Sequence, residues 1–253
     1  MVNLAFHIQR GGSGKTTLTG NLGAVLAERL RVVVVDCDGQ GSLSSWLAPD
    51  GHQYELADLL SEKMTAGQVV VNVSPRLDLV GSFGIGGELK RFAETDLYRQ
   101  PFAVRKASEQ LAGLGYDVAL WDLAPGMSIL ERSILAEMVE VVSPVMLEDF
   151  SLDGIEIFTG ELEKIRRDYR AALLQHRRIV ANGFNRSIGR HRAYLEQFRR
   201  LNGFELYVFA QDQAVPEAQA EHRPILGASR KLKHENLAEL ERLGHDLIGG
   251  TNG

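Results

Sequence analysis

Val2-Asn3-Leu4-Ala5-Phe6-His7-Ile8-Gln9-Arg10-Gly11-Gly12-Ser13-Gly14-Lys15-Thr16-Thr17 is the stretch on which the reading of this chain turns. An apolar run suited to a short strand ends in a glycine-rich turn, and Lys15-Thr16-Thr17 opens a helical stretch through Glu28. That order aims successive backbone N–H groups and a helix N-terminus at one spot, where a phosphate can sit. In such a loop Gly11, Gly12, Ser13, Gly14 and Thr17 surround the phosphates. Lys15 reaches the β- and γ-phosphates, and the Thr16 hydroxyl takes a place on Mg²⁺. The usual spacing asks for a glycine five residues before Gly14, and Gln9 stands there instead.

Two further segments carry acids at strand ends. Val35-Asp36-Cys37-Asp38-Gly39-Gln40-Gly41-Ser42 places two carboxylates one residue apart, so they face opposite ways until the chain turns and Asp38 swings toward the nucleotide. Tyr116-Asp117-Val118-Ala119-Leu120-Trp121-Asp122 is an apolar strand closing on Asp122, the form of a carboxylate that contacts Mg²⁺ directly or through water. Trp121 reads as core filling and Cys37 as a small buried hydrophobe.

Around these segments, strand patterns at residues 2–8, 32–36, 68–71, 77–81, 118–122, 139–145, 178–181 and 205–209 alternate with helical periodicity at 155–174, 192–201 and 235–248. Several strands are continuously apolar, as strands buried on both faces are. The expectation is an α/β fold: a doubly wound, mostly parallel sheet with helices on both faces and ligands at the carboxyl ends of its strands. With no Pro- or Ser-rich linker and no internal repeat, residues 1–248 read as one domain and 249–253 as a frayed tail.

The chain has 253 residues, 44% hydrophobic and 24% charged, with one cysteine and a formal charge of −5. It lacks a membrane-length apolar run and a recognisable leader, and a single thiol excludes a disulfide framework and fits a reducing cytosol. The net charge hides an asymmetry. Residues 1–160 hold 12 Lys and Arg against 21 Asp and Glu, whereas 161–253 hold 16 against 12. A polyanion is therefore expected to bind late in the chain. Seven scattered histidines without metal-ligand spacing argue against a transition-metal site. Gly84-Ile85-Gly86-Gly87 lacks the helix and acidic partner of a dinucleotide loop and reads as a turn.

The phosphate loop resembles the deviant box Lys-Gly-Gly-x-Gly-Lys-Thr, often preceded by Asn-Gln, of the ParA/MinD family of dimerising ATPases. Gln9 matches, and Arg10 replaces the signature lysine. The second segment is similar to the family's Asp-x-Asp-Pro-Gln-Gly-Asn, with Gly39 for Pro and Ser42 for Asn. Asp122, Pro125 and Gly126 fill its Asp-x-x-Pro-Gly. Pro144 to Gly154 looks like its Pro-x-x-x-Glu…Leu-x-Gly segment. The stretch from Asp212 to Ile225 resembles its adenine-side Pro-Arg-Asp/Asn…Pro-Ile segment, with Ala210 in place of the first proline.

By this resemblance the ligands are ATP and Mg²⁺. Lys15, Asp38 and Arg10 are catalytic, and Asp38 positions the attacking water. Thr16, Asp38 and Asp122 serve the metal, Asp36 supports its shell, and Asn185 and Asp212 lie on the adenine side. Arg10 acts across a sandwich homodimer or makes a surface ion pair. The basic half, with Arg186, Arg190, Arg192, Arg199, Arg200, Arg223, Arg230, Lys231 and Lys233, is the candidate surface for non-specific DNA.

The function implied is that of a ParA-like partition ATPase, cytoplasmic and nucleoid-associated, whose hydrolysis is weak alone and is stimulated by a ParB-like or other partner to cause release. A MinD-like membrane-cycling ATPase would need a terminal amphipathic helix for the bilayer. A metabolic phosphate-loop enzyme would need a second substrate pocket. A nucleotide switch with negligible turnover would follow from the changes at Arg10, Gly39 and Ala210.

Overall fold

The computed structural model describes residues 1–147 and 152–249. Its strands are β1 (Val2–Phe6), β2 (Val32–Cys37), β3 (Val70–Ser74), β4 (Leu77–Val80), β5 (Val118–Leu123), β6 (Glu140–Met146), β7 (Gln175–Phe184) and β8 (Glu205–Ala210). They form one sheet in the order β3-β4-β2-β5-β1-β6-β7-β8. Every pairing is parallel except β3 with β4 at the edge.

Helices α1 (Lys15–Leu26), α2 (Ser42–Leu47), α3 (Leu56–Leu60), α4 (Ala66–Val69), α5 (Leu89–Arg91), α6 (Ala103–Gly113), α7 (Ile129–Ala136), α8 (Leu152–Asp168), α9 (Gly189–Arg199), α10 (Ala214–Ala220) and α11 (His234–Gly249) cover the two faces. Strand periodicity divides the core. Leu4, Phe6, Val32, Val34 and Leu120 pack with α1, α2, α10 and α11. Ala5, Val33, Val35 and Trp121 pack on the other face with α3, α6, α7 and α8. Trp121 is fully buried and its indole N–H donates to Asn3 Oδ1 at 3.2 Å. Cys37 is buried too, and burial pushes its thiol pKa up.

All eight expected strands form, with two instructive differences of extent. Gln68 lies in a helical turn rather than in a strand, because Thr65 and Gln68 make a reciprocal capping box. Strand β7 runs ten residues where only 178–181 were expected, because its polar residues find partners. His176 bonds Ser143, and Arg178 pairs with Glu140 and donates to the Asp246 carbonyl at 2.9 Å. Helix α8 stops at Asp168, short of Leu174, and Arg170 follows in the left-handed region at φ 55°.

Candidate nucleotide site

The loop between β1 and α1 is shaped by glycines that other residues could not replace. Gly12 and Gly14 have φ of 70° and 90°, conformations that only glycine adopts freely. A Cβ on Gly14 would lie 2.6 Å from Asn182 Nδ2, which itself donates to the Ser13 carbonyl at 2.8 Å. Helix α1 starts without a side-chain cap and without an acid in its first turn, leaving its first N–H groups for a ligand.

Lys15 is buried, and its ammonium donates to the Arg10 carbonyl at 2.9 Å, so it closes the loop from beneath. Burial lowers its pKa, opposed by the charges of Asp122 and Asp38. Arg10 itself is exposed and lines a separate cavity with Ile8, Ser13 and Pro144.

Parallel pairing carries the acids to the same place. Asp122 sits opposite Phe6 on β1 and opposite Asp36 on β2. Its Oδ1 takes a long bond from Thr19 at 3.4 Å, while its buried Oδ2 lacks a well-aligned donor among the described residues. Burial first, then the neighbouring Asp36, push the Asp122 pKa up to about 8, against a hydrogen bond from Thr16 and the charge of Lys15. A buried carboxylate in this state suits a cation, and the oxygens of Thr16 and Asp38 offer the hard ligands that Mg²⁺ takes.

Asp36 has different work. Its Oδ2 accepts from the Ser44 amide at 2.8 Å and the Ser44 hydroxyl at 2.7 Å, and its Oδ1 accepts from the Asp38 amide at 3.2 Å. It therefore anchors α2 and the Asp38 turn, where a place in the metal's outer shell was expected. Asp38 is half-buried and accepts from the Gln40 amide at 2.9 Å, which turns it into the cleft.

That cleft is lined by Gly11, Gly12, Ser13, Gly14, Lys15, Thr16, Thr17 and Asp38, and also by Trp46, Pro125, Gln219 and His222. A second cavity adjoins it, with Gly12, Gly14 and Thr17 common to both. Its walls are apolar at Leu18, Met146, Val215, Pro216, Ile225 and Leu240, with Asn182, Gln211, Asp212 and Asn236 as polar points. An apolar slot next to a phosphate cleft is what the base of a nucleotide requires.

Asp212 lines this slot, but its carboxylate is engaged by the Lys233 amide at 2.8 Å, the Ala214 amide at 3.1 Å and Asn236 Nδ2 at 3.1 Å. Asn185 donates to Gln211 Oε1 at 3.1 Å from just outside, and Asn182, three residues earlier, forms the wall.

The basic residues do not form one patch. Arg186, Arg190 and Arg192 sit where β7 turns into α9, at the carboxyl edge of the sheet. Arg199 and Arg200 end α9, which returns to the opposite edge to feed β8. Arg223, Arg230, Lys231 and Lys233 are exposed on the connection from α10 to α11, with Arg230 paired to Glu217 at 2.6 Å. Glu148 to Ser151, the middle of the expected segment after β6, lies outside the described residues.

Sequence reasoning missed His7, fully buried at the root of the phosphate loop. The Ala124 carbonyl lies close, yet among the described residues neither ring nitrogen makes a well-aligned bond, and burial pulls the pKa down to about 3. It also missed Trp46, which lies beyond the Asp38 segment, and Gln219 and His222, which fall between the matched positions of the Asp212 to Ile225 stretch; all three enter the cleft.

A sequence model described as the CobQ/CobB/MinD/ParA nucleotide binding domain matches residues 4–225. Protein BBD21 of Borreliella burgdorferi, uncharacterized, is 34% identical over 249 residues, covering 98% of this chain and 99% of that one. The chromosome partitioning protein ParA of Caulobacter vibrioides is 27% identical over 236 residues, covering 88% of this chain and 85% of ParA. Among solved structures, cobyrinic acid a,c-diamide synthase of Mycobacterium smegmatis, with bound ATP analog and magnesium, superposes with a TM-score of 0.78. Identity there is 22%, over 100% of this chain and 96% of the synthase. This chain belongs to the CobQ/CobB/MinD/ParA nucleotide-binding family.

Proposed function

We propose that the chain is a ParA-like partition ATPase. ATP binding makes a sandwich dimer, the dimer holds non-specific DNA, and hydrolysis stimulated by a partner protein releases it. One observation carries the reading: Lys15, Asp38 and the buried, incompletely bonded Asp122 converge on a glycine loop whose α1 N-terminus is uncapped. The kinship with a chromosome partitioning protein over most of the chain favours partition over other uses of the fold.

Thr16, Asp38 and Asp122 would hold Mg²⁺, which when bound neutralises charge on the phosphates. The loop amides and Lys15 fix the triphosphate, and Asp38 orients the attacking water. Arg10, exposed on the loop, would reach the nucleotide of the other copy, its planar fork suited to gripping phosphate oxygens. A membrane-cycling role is disfavoured, because α11 already packs Leu240, Leu243 and Leu247 into the core. No helix among the described residues is long and apolar enough to cross a membrane.

The test measures dimerisation and DNA binding together, with and without ATP, for wild type, Asp38→Ala and Arg10→Ala. Asp38→Ala should accumulate as a DNA-bound dimer, and Arg10→Ala should stay monomeric with ATP. If Asp38→Ala binds DNA no better than nucleotide-free protein, the switch scheme fails. If Arg10→Ala dimerises like wild type, the role across the interface fails.

A further inference from the structure

Helix α10 touches both halves of the nucleotide site. Its first turn supplies Val215 and Pro216 to the base slot, and its last turn supplies Gln219 to the phosphate cleft, with His222 just beyond. Seven residues of helix span about 10 Å, the scale on which one short rigid body can connect the two. Gln219 Nε2 donates to Thr17 Oγ1 at 2.9 Å, and Thr17 lines both cavities.

The turn after α10 is tied in turn to α2. His222 Nδ1 lies 3.1 Å from the Ser45 carbonyl, a pairing that requires the proton on Nδ1. The Trp46 indole N–H donates to the Arg223 carbonyl at 3.1 Å. His222 holds φ at 52°, a left-handed conformation costly for a residue with a Cβ, so the turn is fixed by its contacts and not by local preference. Helix α2 follows directly on the Asp38 turn, and Ser44 within it bonds Asp36, whose other oxygen holds the Asp38 amide. A continuous set of contacts therefore runs from the base slot through α10 and the His222 turn to α2 and Asp38.

We propose that the seam between the His222 turn and α2 makes Asp38's hydrolytic alignment depend on a base filling the slot, with Trp46 and His222 as positioning residues. The inference rests on the reading of the chain as an ATP hydrolase. A base seated against Val215 and Pro216 sets α10, and the seam sets α2 and the Asp38 turn. A triphosphate whose base fills the slot poorly still binds through the phosphate loop but leaves Asp38 less well aligned.

Two conservative substitutions cut the seam while leaving the fold in place. His222→Gly removes the imidazole while suiting the left-handed turn. Trp46→Phe removes the indole N–H and keeps an aromatic ring over Gly20, where a Cβ would come within 2.4 Å of the tryptophan. The experiment measures kcat and dissociation constants for ATP and for CTP, whose smaller base fills less of the slot, in wild type and in the double variant, with thermal midpoints alongside. Wild type at saturation should turn over ATP about tenfold faster than CTP. In the double variant the ATP kcat should fall to the CTP level, with ATP affinity within about twofold of wild type and a midpoint lowered by no more than a few degrees, the cost of trimming the buried Trp46. Equal kcat values for ATP and CTP in wild type would overturn the seam, as would an unchanged ATP-to-CTP ratio in the variant. A joint fall of affinity, kcat and midpoint would reduce it to a structural contact. Failure of wild type to take up ATP at all would instead remove the ATPase reading on which it stands.

Discussion

Asp36 and Asp38 lie two residues apart and do opposite things. Asp38 turns toward the cleft, while Asp36 is fully buried beneath α2 and accepts three hydrogen bonds, two of them from Ser44. The Ser44 hydroxyl also accepts from the Ser82 amide at 2.8 Å, so it links β2, α2 and the segment after β4. Burial raises the Asp36 pKa to about 6 although these bonds oppose it. Ser44→Ala leaves a buried carboxylate oxygen and a buried amide each short of a partner, a loss of about 3 kcal/mol at neutral pH. The sign with pH follows from the raised value. Folded Asp36 binds its proton more tightly than the unfolded chain does, so its ionisation counts against stability as pH rises from about 4 through about 6. Without Ser44 the ionised form is harder still to hold. The difference in thermal midpoint between wild type and Ser44→Ala should be larger at pH 7.5 than at pH 5, and a constant difference would show that the hydroxyl matters only through packing.

The phosphate loop works as an element because glycine geometry and a neighbouring strand fix it together. Gly14→Ala would force a Cβ into Asn182 Nδ2 at 2.6 Å and strain a φ of 90°, displacing the bond that holds the Ser13 carbonyl. The core does not depend on that bond. The expected result is a fall in ATP affinity of about a hundredfold or more with a thermal midpoint lowered by only a few degrees, consistent with about 1–3 kcal/mol of local strain. Calorimetry and a melting curve on the same sample check both halves. This element was legible in the sequence, because a strand, a glycine turn and Lys-Thr-Thr are contiguous and each has its own local signature. The acids at Asp38 and Asp122 were legible for a related reason: in a parallel sheet, strand ends that read alike meet at one edge. The full length of β7 was not, since His176 and Arg177 look like loop residues until Ser143 and Glu140 are placed beside them. Trp46, Gln219 and His222 were hidden for the same cause, being brought to the cleft by three-dimensional contacts more than 170 residues apart in the chain.

At the scale of the molecule, the candidate nucleotide cleft lies at the carboxyl edge of the sheet, and under the proposed function any surface controlled by dimerisation through it must be near that edge. Arg186, Arg190 and Arg192 meet this condition. Arg199 and Arg200 lie at the far end of an eleven-residue helix, about 16 Å away, where closure of the nucleotide face changes little. The ion pair of Arg186 with Glu235, at 3.5 Å and largely exposed, is too weak to hold that arginine from a phosphate. Each phosphate contact steepens the fall of log affinity with log salt by about 0.9 on duplex DNA. Replacing Arg186, Arg190 and Arg192 by alanine should therefore flatten the slope of the ATP-bound protein by about 2 to 3, without altering its preference among DNA sequences. Replacing Arg199 and Arg200 should leave the slope in place. Titrations of a labelled duplex at several salt concentrations, with ATP present and with both variants shown to dimerise, separate the two surfaces. Equal flattening in both variants would mean that the phosphate contacts are spread along α9 and are not gated by the nucleotide edge, whereas a flat slope in wild type would remove the phosphate-contact model itself.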